Sequence, residues 1–159
     1  MKYKFTYDYD KETGITIGHL RTSKGLFFGT SCQHPNDHFP PSEIMGASIA
    51  EARCYINLYN KLIADKKIEL KGVKRLLAAM PEGYTNRCYA ENLYNAIQKE
   101  IEDLRFKKLN EKTRINGLID GRGAYIRSRS ATKEEKEQMR KAIIEGFNTL
   151  SSAKKDKED

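Results

Sequence analysis

The chain has 159 residues, 38% hydrophobic and 32% charged, with a formal net charge of +7. That length supports one hydrophobic core without staples, and that composition excludes a disordered chain. No apolar run approaches the ~18 residues of a membrane span. The N-terminal MKYKFTYDYDKETG has no apolar stretch resembling a signal peptide, so the chain is expected to be cytoplasmic. Three cysteines, Cys32, Cys54 and Cys88, are an odd number and read as free thiols of a reducing compartment.

The first third reads as β-structure. KYKFTYDY alternates Tyr3, Phe5, Tyr7 and Tyr9 with Lys2, Lys4, Thr6 and Asp8, the period of a half-buried strand. DKETG is a turn ending at Gly14, and GITIGHL alternates again through Ile15 and Ile17. TSKG is a second turn, and LFFGTSC a third strand. Short connections predict an antiparallel three-stranded meander whose greasy face needs a helical cover.

The densest run of reactive side chains comes next, in CQHPNDHFPPSE at 32–43. Cys32, His34 and His38 are zinc-ligand types, with Cys54 or Cys88 available as a fourth. A structural zinc site usually shows two ligand pairs, and the second is missing. A Cys–His nucleophile would need an orienting group and an oxyanion hole, and neither is marked. The run therefore reads as a strand-to-helix connection, with Cys32 a small buried hydrophobe and Phe39 an anchor. No metal and no cofactor is expected, nor an enzymatic activity.

Ser42 is a good N-cap and Glu43 suits the first turn. Met45, Ile49, Ala52, Ile56, Tyr59 and Ile63, widened by Leu58 and Leu62, form a helical stripe. A shorter helix, GVKRLLAAM, gathers Val73, Leu76, Leu77 and Met80 before Pro81 ends it. PEGYTN is a loop, and Thr85 or Asn86 caps another helix through Ala90, Leu93, Ile97, Ile101 and Leu104. A last helix starts at Thr132, where TKEE pairs Thr132 with Glu135 in a capping box and Met139, Ile143, Phe147 and Leu150 follow. The prediction is an α+β domain over 1–150, with three to four helices packed on the sheet, and a polar flexible tail at 151–159.

GTSCQHPNDHFPPSEIMGASIAEAR resembles a pattern in small proteins of phages and mobile elements of Gram-positive bacteria. The corresponding residues are Cys32, Pro35, Asp37, Phe39, Gly46, Ala50 and Arg53, with Gln33 and His34 standing where the pattern has one residue. With the two or three strands that lead into this stretch, the pattern covers about a third of the chain. The resemblance implies a small accessory protein acting in the host cytoplasm, of the kind that inhibits a host nucleic-acid-directed defence such as CRISPR. It carries over no site residues.

The charge is unevenly placed. Arg105, Lys107, Lys108, Lys112, Arg114, Arg122, Arg127 and Arg129 face only Glu111 and Asp120 within their own segment. Such concentration points to an anionic partner. RINGLIDGRGAYIRSRS, with Gly117, Gly121 and Gly123, reads as a glycine-bearing loop that brings arginines to phosphate. If extended, it would set Arg127 and Arg129 on one face with Tyr125. It matches neither a Walker loop nor a dinucleotide fingerprint. The expected site is thus Arg114, Arg122, Arg127, Arg129 and Tyr125, with Lys107, Lys108 and Lys112 steering. The expected partner is nucleic acid, another phosphate-bearing ligand or a host nucleoprotein, the alternative an acidic protein surface. No membrane partner is expected, while the sheet and the tyrosine-rich helices offer surface for a homodimer. Tyr55, Tyr59, Tyr89 and Tyr94 read as core-edge residues.

Overall fold

The computed structural model describes residues 3–32, 42–130 and 141, with the backbone alone over 122–130. The chain divides into two compact units, 1–118 and 119–159. The first unit carries the sheet.

Strands β1 (Lys4–Tyr9), β2 (Thr16–Thr22) and β3 (Gly25–Ser31) form an antiparallel sheet in the order β1-β2-β3. The first turn closes with Asp10 N donating to Ile15 O and Gly14 N to Asp10 O, Gly14 taking a φ of 68°. A glycine with positive φ opposite one strand residue is a bulge that joins the strands with the right twist. The fold is therefore α+β, as expected, with the sheet at the N-terminus.

The phase of β2 reverses the hydrophobic expectation. Thr16, Gly18 and Leu20 face inward and are buried, whereas Ile15 and Ile17 are each 40% exposed. The reason is steric. A Cβ at Gly29 would stand 2.6 Å from the Cys54 amide nitrogen, and one at Gly18 would stand 3.2 Å from the Ala50 Cβ. Gly46 sits just as tightly over the Thr16 hydroxyl. The covering helix lies directly on this floor, so small residues beneath it exclude large ones. Leu20, Cys54 and Leu58 fill the remaining space, flanked by Phe5, Phe27, Tyr55 and Leu62.

Among the described residues two long helices follow, where three or four were expected over the chain: α1 (Glu43–Ala79) and α2 (Thr85–Ser130). Ser42 caps α1, its hydroxyl accepting from Met45 N at 3.3 Å, with Glu43 in the first turn. Helix α1 does not break between its two stripes. Ile63, Leu70 and Val73 continue one seam against Ile97, Ile101 and Leu104 of α2, and Gly72 has open space around it. Nearer the sheet, Met45, Ile49, Ala52 and Ile56 meet Ile115 and Leu118. Contacts that advance along α1 retreat along α2, so the two helices form an antiparallel hairpin. The seam repeats at alternating steps of three and four, as in a coiled coil.

Helix α1 ends before Pro81, and Arg87 of α2 closes the turn by donating to the Leu77 and Met80 carbonyls at 3.3 and 2.8 Å. A guanidinium at a helix C-terminus satisfies carbonyls that lack intrahelical partners and opposes the dipole. The helix expected from Thr132 lies outside the described residues apart from Lys141, which is helical. Among the described residues, no helix is long and apolar enough to cross a membrane.

Candidate nucleic-acid interface

The glycine-bearing loop expected at 114–130 is helix. Helix α2 runs unbroken to Ser130 and carries Arg114, Arg122, Tyr125, Arg127 and Arg129 on helical backbone. Residues two apart on a helix are separated by about 200° around its axis, so Arg127 and Arg129 do not share the face an extended strand would have given them. Gly117 and Gly121 bring nothing close, for a Cβ at either would meet open space.

Arg114 is not a free guanidinium. Its Nη2 donates to Glu51 of α1 at 2.8 Å and its Nη1 reaches Glu111 at 3.4 Å. The bond it donates to Glu51 leads in holding its pKa above the ordinary arginine value. Arg114 thus locks the two helices together beside the sheet. Further along the same flank, Lys66 bridges Glu100 at 2.7 Å and Glu69 at 3.2 Å, and these carboxylates raise its pKa, Glu100 foremost. This flank of the hairpin is electrically matched.

The other flank is not. The α2 seam passes through Ile97, Ile101, Leu104, Lys108, Glu111 and Ile115, which places Arg105 and Lys112 to one side of it, next to half-buried Lys108. Arg105 lines a shallow groove with Gln98, Ile101 and Glu102 of α2 and with Lys67 and Leu70 of α1. From Lys67, steps of four and three along α1 lead to exposed Lys71 and Lys74. Lys67, Lys71, Lys74, Arg105, Lys108 and Lys112 thus run along one flank of the hairpin. Among the described residues none of the six makes an ion pair, and Glu102 is the acid set among them.

The expected steering trio is therefore divided. Lys108 and Lys112 belong to the unmatched flank, whereas Lys107 falls on the far side, toward Glu111 and Arg114. The α1 lysines were missed, although KKIELKGVK displays their helical spacing in the sequence. On the outward side of α2, Phe106 and Leu109 are 65% and 57% exposed. Aliphatic and aromatic surface next to cations suits a ligand with stacked rings and phosphates.

Cys32 is exposed where burial was expected, and the buried cysteine is Cys54, whose thiol is pushed up to about 11 chiefly by burial. His34 and His38 lie outside the described residues. Tyr55 and Tyr59 stack on each other with centroids 6.2 Å apart and sit half-buried, as expected of core-edge residues, whereas Tyr89 is exposed. Three residues of the phage-type pattern have packing roles: Gly46 admits Thr16, Ala50 overlies Gly18 and Gly29, and Arg53 bonds the Thr30 carbonyl. Comparison with protein-family models, curated proteins and solved structures gave no match to this chain.

Proposed function

We propose that the protein is a non-enzymatic binding protein that takes a polyanion, most simply nucleic acid, along the unmatched flank of its helical hairpin. One observation carries the reading. The hairpin neutralises one flank with interhelical ion pairs and leaves Lys67, Lys71, Lys74, Arg105, Lys108 and Lys112 without carboxylate partners among the described residues. Unpaired like charges along two rigid helices repel one another, and a polyanion relieves that repulsion while releasing its counterions. Later in its sequence α2 also carries Arg122, Arg127 and Arg129.

The resemblance of residues 29–53 to phage and mobile-element proteins supports giving this binding, as part of the same proposal, an accessory role in the host cytoplasm against a nucleic-acid-directed defence. The exposed Phe106 and Leu109 favour a second reading, an adaptor or inhibitor docking on an acidic protein surface. Titration of labelled DNA and RNA oligonucleotides decides between them. The parent should bind, and the combined change Arg105→Ala, Lys108→Ala and Lys112→Ala should weaken binding while Arg114→Ala leaves it intact. A parent that binds neither nucleic acid leaves the acidic-surface reading.

A further inference from the structure

The two edges of the sheet are treated differently. Because Asp10 bonds Ile15 across the first turn, residues 4, 6 and 8 of β1 direct their backbone groups to β2, and Phe5, Tyr7 and Tyr9 direct theirs to the free edge. Carried across the sheet, the same alternation turns Phe28 and Thr30 of β3 outward. The carbonyls of both are capped from α1: Asn57 Nδ2 donates to Phe28 O at 2.7 Å and Arg53 Nη1 to Thr30 O. So α1 occupies the β3 edge at Phe28 and Thr30, two of its three outward residues, the third being Leu26. Among the described residues no hydrogen bond reaches the outward backbone of Phe5, Tyr7 or Tyr9.

The open edge has a sequence that complements its own reverse. In YKFTYDY, residues 3–9, Thr6 is central. Phe5 and Tyr7 flank it, then Lys4 and Asp8, then Tyr3 and Tyr9, and the next pair outward is Lys2 and Asp10. Read backwards, each aromatic falls on an aromatic and each lysine on an aspartate. We propose that β1 is a self-recognition edge, pairing antiparallel with β1 of a second copy about a two-fold axis at Thr6 to give a continuous six-stranded sheet. Phe5 and the second copy's Tyr7 would then exchange both backbone hydrogen bonds. Lys4 would face the second copy's Asp8 on the solvent side. Opposed aromatic pairs and opposed charges are the cross-strand combinations that favour a register, and a two-fold contact doubles each. Asp8 already lies on that solvent face, accepting from His19 at 3.0 Å with its carboxylate largely exposed.

A lysine on an edge strand also serves to repel chance pairing. Charge reversal separates that role from self-recognition. Sedimentation velocity over a concentration series should show the parent dimerising. Lys4→Asp alone and Asp8→Lys alone set like charges opposite each other and should each weaken association by on the order of tenfold or more. Mixing these two variants should restore a dimer containing one of each, which misfolded protein could not do. Thr6→Cys should give, on mild oxidation, a dimer linked between the two copies of position 6, since directly opposed non-hydrogen-bonded residues lie within disulfide reach. A parent that stays monomeric, single variants that dimerise as the parent does, or a mixture that fails to recover the dimer would each overturn the proposal.

Discussion

Gly29 of β3 lies directly under the α1 backbone, where a Cβ would stand 2.6 Å from the amide nitrogen of Cys54. Neither partner is the flexible end of a side chain, so relief requires the helix to lift from the sheet. Gly29→Ala should therefore destabilise by about 3 kcal/mol, at the upper end for overpacking. Gly72→Ala, in open helical surface, should stabilise by about 0.5–1 kcal/mol through intrinsic propensity. Urea melts of the two variants check both signs.

Thr16 beneath Gly46 is fully buried, and among the described residues its hydroxyl has no hydrogen-bond partner. Replacing it with a nearly isosteric methyl removes an unsatisfied polar atom without changing the shape of the floor. Thr16→Val should raise stability by about 1 kcal/mol. Thr16→Leu, which enlarges the side chain against Gly46, should lower it. Thermal melts at one pH suffice.

The Cys54 thiol gives a defined pH response. Burial raises it from 9.0 to about 11, so over that interval the folded chain retains a proton that the unfolded chain has released. Stability contributed by the neutral thiol is complete below pH 9 and is lost as pH rises toward 11. Two pKa units correspond to roughly 2–3 kcal/mol. Cys54→Ala should flatten this decline relative to the parent, measured by denaturant melts across the interval. Native alkylation near pH 8 should modify Cys32 and Cys88, which are exposed, and spare Cys54.

The strands, the Ser42 cap and the stop before Pro81 were legible because each rests on local chemistry: alternation, a hydroxyl acceptor, a missing N–H. The inward face of β2 was not. Its positions are Thr16, Gly18 and Leu20, chosen for smallness under a helix, so hydrophobicity alone pointed to Ile15 and Ile17. The helical nature of 114–130 was hidden by Gly117 and Gly121 and by polar residues, Lys108 and Glu111, occupying seam positions. The bond that removes Arg114 from the candidate site comes from Glu51, a residue 63 positions away, and no local pattern encodes it.

That ion pair separates stability from binding. Arg114 is about 40% exposed, so solvent screens the pair and Arg114→Ala should cost no more than about 1 kcal/mol. Glu51→Ala should cost a similar amount, and the double variant less than the two together, because both remove one interaction. Oligonucleotide affinity should follow neither change.

Binding at the unmatched flank is tested most directly by the salt dependence of nucleic-acid affinity. For the parent, the logarithm of the binding constant should fall linearly with the logarithm of salt concentration. Combined Arg105→Ala, Lys108→Ala and Lys112→Ala should reduce that slope by about 2–3, each cation contributing roughly 0.7–0.9. An unchanged slope in this variant, with loss instead on combined Arg122→Ala, Arg127→Ala and Arg129→Ala, would contradict the assignment of binding to the hairpin flank.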